Sequence, residues 1–275
     1  MANRRFIWGA ALSAALSVTL VAQQAPPAAQ QTQNDFYSVA CVKVTLGKSA
    51  DFGALVSGDM RKLAQAEVDS GRLSRWSASH TIVSAGSEAE CDYRFISFYP
   101  GIPAEPISDE ELAAALQKAG IGATPQQWRD RLNSVGSLVY SSIYQYQASV
   151  GGPKEGDYVV INEMSVPNTD DWIASEKKLW QPIFEDAVKD GAVDGWSVGV
   201  QLMPRGAKDP HRFYTADIYP NWASLFTLFG PGFLDRWKKV HPDVSIEDGM
   251  AQGQKVETIE HTTLYKIVAV AQAAK

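Results

Sequence analysis

One constant spacing runs through this chain of 275 residues. Gly71, Trp76, Gly86 and the pair Tyr99, Pro100 return 120 positions later as Gly191, Trp196, Gly206 and the pair Tyr219, Pro220. Self-similarity at a fixed offset marks repeated structural units. The chain therefore reads as two copies of one unit.

Periodicity gives the order of elements inside each copy. Residues 37–46 alternate and are rich in Val, Cys and Thr, which predicts a strand. Phe52, Leu55, Val56, Met60, Leu63, Ala64 and Val68 fall at helical spacing over 51–70, and Gly71 can take the positive φ that ends a helix. Strands follow over 75–83 and 92–99, joined by a polar hairpin at 85–90. Ser108 with Glu111 is the capping-box order, so a helix starts there; a second helix is expected over 125–135 and a fourth strand over 138–149. After a Gly- and Pro-containing linker at 151–156 the order restarts. A strand at 158–166 precedes a helix at 169–189, with Trp172, Leu179, Trp180, Ile183, Phe184 and Val188 on its apolar stripe. Strands at 196–203 and 212–219 come next. Helical pieces over 221–240, broken at Gly230, Pro231 and Gly232, lead to a last strand at 258–270. Each half reads β-α-β-β-α-β.

The N-terminus has the order of a secretory signal: Arg4 and Arg5, an uncharged apolar run over 6–22, then a Gln/Ala/Pro spacer over 23–35. The competing reading is a retained membrane anchor, for which a run of about 17 residues is the lower limit. Small residues around Ala22 favour cleavage, which leaves no stable membrane span and a periplasmic or secreted protein. Removing 1–22 takes away Arg4 and Arg5 and no acid, and moves the net charge from −6 to −8. With no Lys/Arg run, the composition argues against nucleic acid as a partner. Cys41 and Cys91 are the only cysteines. In an exported protein an even pair suggests a disulfide, against the alternative of two core thiols.

A βαββαβ unit folds as a four-stranded antiparallel sheet with both helices on one face, leaving the other face to a partner. Two tandem copies, over 36–150 and 157–272, can supply that partner to each other. The element order, the recurring Gly-x4-Trp and the aromatic-Tyr-Pro positions resemble the dimeric α+β barrel superfamily, which includes ferredoxin-like monooxygenases and NIPSNAP-like and EthD-like proteins. The resemblance implies an α+β fold of two ferredoxin-like units forming a pseudo-dimeric barrel. It carries no single activity, because the superfamily holds oxygenases, haem enzymes, lyases, isomerases and proteins without known activity.

The repeat singles out polar residues that differ between halves. Lys43 matches Glu163, Ser97 matches Asp217, His80 matches Val200 and Ser141 matches His261. Strand alternation aligns Val39, Cys41 and Lys43, and likewise Phe213, Thr215, Asp217 and Tyr219. Both sets are expected inside the barrel. Lys43, Glu163, Asp217 and His80 are thus the candidate acid–base groups; Tyr93, Tyr99, Thr215, Tyr219 and His261 are the candidate ligand contacts. The competing reading of Lys43 and Glu163 is an ion pair joining the halves. No HxxxH, HxH or HExxH occurs, so no local metal signature exists. An interior His80 or His261 could ligate haem. The run Gly195, Trp196, Ser197, Val198, Gly199 matches GxSxG, but the strand pattern continues through Met203 and the required turn into a helix is missing. Three functions stay open: binding of a small, partly apolar molecule between the sheets, a cofactor-free or haem-dependent enzyme of the same fold, or an interaction protein with a filled barrel. Oligomeric state is not legible.

Overall fold

The computed structural model describes residues 36–83, 89–103, 105–204, 206 and 211–273. The expected signal and spacer, and the tip of the 85–90 hairpin, lie outside these residues. The strands are β1 (Phe36–Val44), β2 (Arg75–Val83), β3 (Tyr93–Phe98), β4 (Gly136–Gly151), β5 (Tyr158–Ser165), β6 (Gly195–Met203), β7 (Phe213–Tyr219) and β8 (Thr258–Gln272). They close into one antiparallel barrel in the order β1-β3-β2-β8-β5-β7-β6-β4. The two longest strands make the joints. β4 pairs with β1 and then with β6, while β8 pairs with β5 and then with β2. Closure leaves no strand edge exposed.

The helices are α1 (Ser49–Leu55), α2 (Arg61–Asp69), α3 (Asp109–Lys118), α4 (Pro125–Val135), α5 (Thr169–Ser175), α6 (Gln181–Lys189), α7 (Phe233–Val240) and α8 (Ile246–Gly253). Ser108 and Thr124 both form complete capping boxes, with Glu111 and Gln127. The sequence reading missed α8, a short helix capped by Ser245 whose buried positions are glycines, so no apolar stripe announces it.

Both long helices contain a feature that the apolar pattern did not show. A π turn, Val56–Met60, joins α1 to α2, and a second, Glu176–Trp180, joins α5 to α6. They lie 120 residues apart. Pro182 follows the second, but Lys62 stands at the equivalent place in the first, so proline is not the shared cause.

Three packed layers result. Phe52, Leu55, Val56 and Val68 from helices meet Trp76, Ala78, Phe95 and Ala269 on the outer face of the first half. Trp172, Phe184 and Ala187 meet Trp196, Val198 and Phe213 on the second. Trp76 stacks on Phe95 and Trp196 on Phe184, so the repeated tryptophans pack sheet to helix in both halves. Between the sheets only strand residues meet: Tyr37, Val39, Phe98, Tyr144, Tyr146, Ile161, Tyr214, Ala216 and Tyr265. This interior is nearly filled, with a residual cavity of 60 Å³. Tyr37 and Tyr214 share a hydroxyl–hydroxyl hydrogen bond, and a Cβ on Gly199 would collide with both rings.

Candidate functional site

Two spaces able to admit a small molecule lie outside the barrel, under the helices, one in each half. Their walls correspond at the 120-residue offset: Ala40 and Val160, Val42 and Asn162, Met60 and Trp180, Trp76 and Trp196, Phe95 and Thr215, Ser137 and Glu257. The first hollow measures 300 Å³ and is apolar apart from Asn133 and Ser137. The second measures 400 Å³ and is walled by Trp180, Phe184, Trp196 and Phe229. Three carboxyl groups join them: Glu176, Asp217 and Glu257. Among the described residues no basic side chain lines it.

The fold explains how each group arrives. Glu176 opens the second π turn, where the first has Val56. Asp217 sits mid-strand in β7, whose seven residues are all buried. Glu257 lies one residue before β8. Glu176 and Asp217 are 2% and 7% exposed. Burial, then the charge of Glu257 and a hydrogen bond to it, pushes the Glu176 carboxyl well above the ordinary range. Burial pushes Asp217 up to about 7, with a hydrogen bond from Asn162 in opposition. The phenol of Tyr219 is raised by burial and by Asp217. The indole Nε1 of Trp172 donates to Glu257 Oε2 at 2.6 Å. Asn162 is held from both sides: its Nδ2 donates to Thr215 Oγ1 at 3.2 Å, and its Oδ1 accepts from Thr262 Oγ1 at 3.0 Å.

A second polar group of residues closes one end of the barrel. Arg94 Nη2 donates to Glu163 Oε1 at 2.8 Å. His211 lies between Glu163 and Glu90, at 2.9 and 3.0 Å. Burial alone would raise Glu163, but His211 and Arg94 outweigh it and hold the carboxyl down to about 2. The two glutamates raise His211 to about 9 against its own desolvation. The adjoining cavity is 80 Å³. This is a paired, neutralised network with room for a few waters.

The structure brings three of the residues expected from sequence into the second hollow, Asp217, Thr215 and Tyr219. It disperses the others. Glu163 is committed to Arg94 and His211. Lys43 pairs with Asp92 at 3.2 Å and donates to the Ala89 carbonyl, so it does not meet Glu163. His80 packs on the Tyr93 ring, and burial lowers its pKa. Tyr93 belongs to the outer core of the first half. Tyr99 is hydrogen-bonded with Ser38. His261 is exposed beside the small end cavity.

One expectation needs correcting. Tyr93, Thr215, Asp217 and Tyr219 face the helices, not the barrel interior. Arg94, Ile96, Tyr214, Ala216 and Ile218 point inward instead. Alternation gave the correct partition, but both faces of these strands are buried, so hydrophobicity could not tell inside from outside. Glu176, Glu257, Arg94 and His211 were missed. The same 120-residue comparison, carried from strands into helices and loops, pairs Glu176 with Val56 and His211 with Cys91.

Cys41 and Cys91 form a disulfide, with Cα atoms 5.3 Å apart. Glu90 stands beside them, and this trio is the one group of three donors close enough to share an ion among the described residues; two of its donors are spent in the disulfide. Ser197 is buried inside an uninterrupted β6 and forms no elbow. Among the described residues, His80 lines none of these four cavities, His261 borders only 80 Å³, and the 400 Å³ hollow has no histidine in its wall.

No family model matches this sequence, and no curated protein matches it. Solved structures do. A candidate monooxygenase from Lactobacillus acidophilus NCFM aligns over 87% of this chain and 96% of its own, at TM-score 0.52 and 8% identity. Another from Fusobacterium nucleatum subsp. nucleatum aligns over 89% and 97%, at TM-score 0.54 and 8% identity. The chain has the fold of the dimeric α+β barrel proteins. At such identity the likeness concerns fold alone.

Proposed function

We propose that this protein is an acid–base enzyme acting on a small, largely aromatic molecule held in the second hollow, with Asp217 as the proton-accepting group. The observation that carries the reading is a buried carboxyl, pushed up to about 7, in the wall of a 400 Å³ aromatic cavity. A group with pKa near the working pH combines the right protonation state with useful basicity. The volume falls within the range of about 300–1,000 Å³ usual for small-molecule sites. Tyr219 and Asn162 share the wall of the hollow with the carboxyl. Between-sheet binding loses support because tyrosines fill that space. The name monooxygenase, carried by the two structures above, is compatible with a reaction that begins by taking a proton from the substrate.

The reading extends to origin and location. The two halves are two fused ferredoxin-like units forming a pseudo-dimer, supported by the strand order 4-1-3-2 in each half and by paired π turns, hollows and tryptophans. Export to the periplasm or beyond is supported by the Arg-led apolar N-terminus and by the disulfide.

The test uses 2-tetralone, an apolar bicyclic ketone with acidic α-protons. In deuterated buffer the protein should speed α-proton exchange, followed by NMR, with a rate rising through pH 7 as Asp217 ionises. Asp217→Asn should lose about 100-fold or more of that enhancement. Equal exchange with Asp217→Asn and wild type would remove Asp217 from the chemistry.

A further inference from the structure

The second hollow holds three carboxyl groups and aromatic walls and, among the described residues, no basic side chain. Among the described residues none of the three carboxyls takes part in an ion pair, whereas Glu163, equally buried, has two cationic partners. Buried charge is normally paired, or it is discharged by keeping its proton. Glu176 takes the second course. What the site lacks is a cation, and it has a cavity in which one could sit.

We infer that the natural substrate carries a protonated amino group, which binds at the Glu176–Glu257 pair while its aromatic body lies against Trp180, Phe184 and Trp196. This deepens the acid–base reading and rests on it, since both use the same hollow. Geometry distinguishes the roles of the three carboxyls. Glu176 and Glu257 stand in the same wall, and the Glu257 carboxyl is among the groups that raise Glu176. Glu257 accepts the Trp172 indole N–H at 2.6 Å and is the less buried of the two, while burial and the neighbouring Glu257 carboxyl raise Glu176, which keeps its proton. Asp217 stands on the sheet wall with its own partner, Asn162, and is left for the chemistry. Neighbouring aromatic faces favour a cation over a neutral group.

The inference has a proton balance. The free site holds a proton on Glu176, raised by burial and by the neighbouring Glu257 carboxyl. An entering ammonium group supplies the positive charge that lets Glu176 ionise, so its proton leaves to solvent as the ammonium binds. No bond to carbon forms or breaks in this step. Trp172 acts as a positioning residue: its N–H holds the Glu257 carboxylate in place beside Glu176.

Quenching of tryptophan fluorescence in the full chain can compare three probes that share one ring system: 1-naphthylmethylamine, 1-naphthylmethanol and 1-naphthylacetate. At pH 7 the amine should bind about tenfold or more tighter than the alcohol, and the acid weakest. Calorimetry in buffers of different ionisation enthalpy should show release of about one proton per amine bound. Glu176→Gln mimics the protonated carboxyl and should bind the amine without proton release. Glu176→Gln combined with Glu257→Gln should bind amine and alcohol alike. Trp172→Phe should shift the pH profile of amine binding, a change that loss of packing alone would not produce. If amine and alcohol bind equally to the wild type, the amine inference fails while the hollow stands. If none of the three probes quenches and 2-tetralone exchange is not accelerated, the site reading itself fails.

Discussion

The two hollows are the same construction finished in two ways. In the first half, Val56, Ser97 and Ser137 occupy the places that Glu176, Asp217 and Glu257 take in the second. The scaffold around them is shared, down to the π turn and the tryptophan that opens the strand. The first half shows that the fold needs no acid there. Two deeply buried carboxyls in the second half therefore cost stability without serving the architecture, which is the physical signature of a site. The barrel end repeats the lesson with the halves reversed. Cys41 and Cys91 close the first-half corner with a covalent bond. At the matching positions Ile161 and His211, the second half uses His211 in an ionic network.

The largest effect should come from breaking that network. Glu163→Gln leaves Arg94, 9% exposed, and His211 without their shared counter-ion. Removing one partner of a buried pair typically costs about 3–5 kcal/mol, read here as a drop in urea-unfolding free energy. Its counterpart Lys43 pairs with Asp92 in a partly exposed position. Lys43→Met should cost under about 1 kcal/mol. Equal losses at 43 and 163 would end the distinction between the corners.

Asp217 should behave in the opposite sense. Its folded pKa of about 7 lies above the ordinary 3.8. Between those values the folded state holds a proton that the unfolded chain has released, so stability falls as pH rises toward 7 and is level beyond it. Asp217→Asn removes this penalty. The variant should match wild type below pH 3.8 and exceed it above pH 7, by on the order of 4 kcal/mol at most, at about 1.4 kcal/mol per pKa unit. Thermal unfolding across pH measures the divergence. Ser97→Ala, at the equivalent first-half position, should give no such pH dependence. Glu163 has the reverse sign: its lowered pKa contributes stability above about 4.5 that is lost as pH falls toward 2.

How much of this was legible follows from the same contrast. The repeat, the order of strands and helices, the packing role of Trp76 and Trp196 and the disulfide candidates were open to spacing and periodicity. The site was half open. Asp217, Thr215 and Tyr219 stood out because a strand alternates, but the side of the sheet they face did not. The helices cover one face and the partner sheet the other, and both demand apolar neighbours. Glu176 was hidden in an apolar stripe whose phase shifts through a π turn, an irregularity without a residue signature. Arg94 and His211 were hidden for another reason. Their meaning lies in partners 69 and 48 positions away, contacts that only closure of the barrel creates.

Loss of the first-half disulfide should come next in size. Reducing Cys41–Cys91, which span 50 positions, should destabilise the protein by about 2–4 kcal/mol. Neither cysteine lines the second hollow, so quenching by 1-naphthylmethylamine should survive reduction under conditions where the chain stays folded. Loss of binding in step with reduction would mean that the halves are not independent in this respect.

A smaller expected change is the most direct test of the comparison. Thr215→Phe gives the second hollow the residue its twin has at Phe95. Thr215 lies on β7 among buried neighbours and lines the cavity, so the added ring must enter the space that a ligand would use. It also removes the hydroxyl that accepts from Asn162. Binding of 1-naphthylmethylamine should weaken about tenfold, near 1.4 kcal/mol. The reciprocal Phe95→Thr enlarges the first hollow without adding charge. It should gain affinity for 1-naphthylmethanol but no preference for the amine. If it acquires that preference, shape alone selects the ligand, and the carboxyls that separate the halves are not the reason.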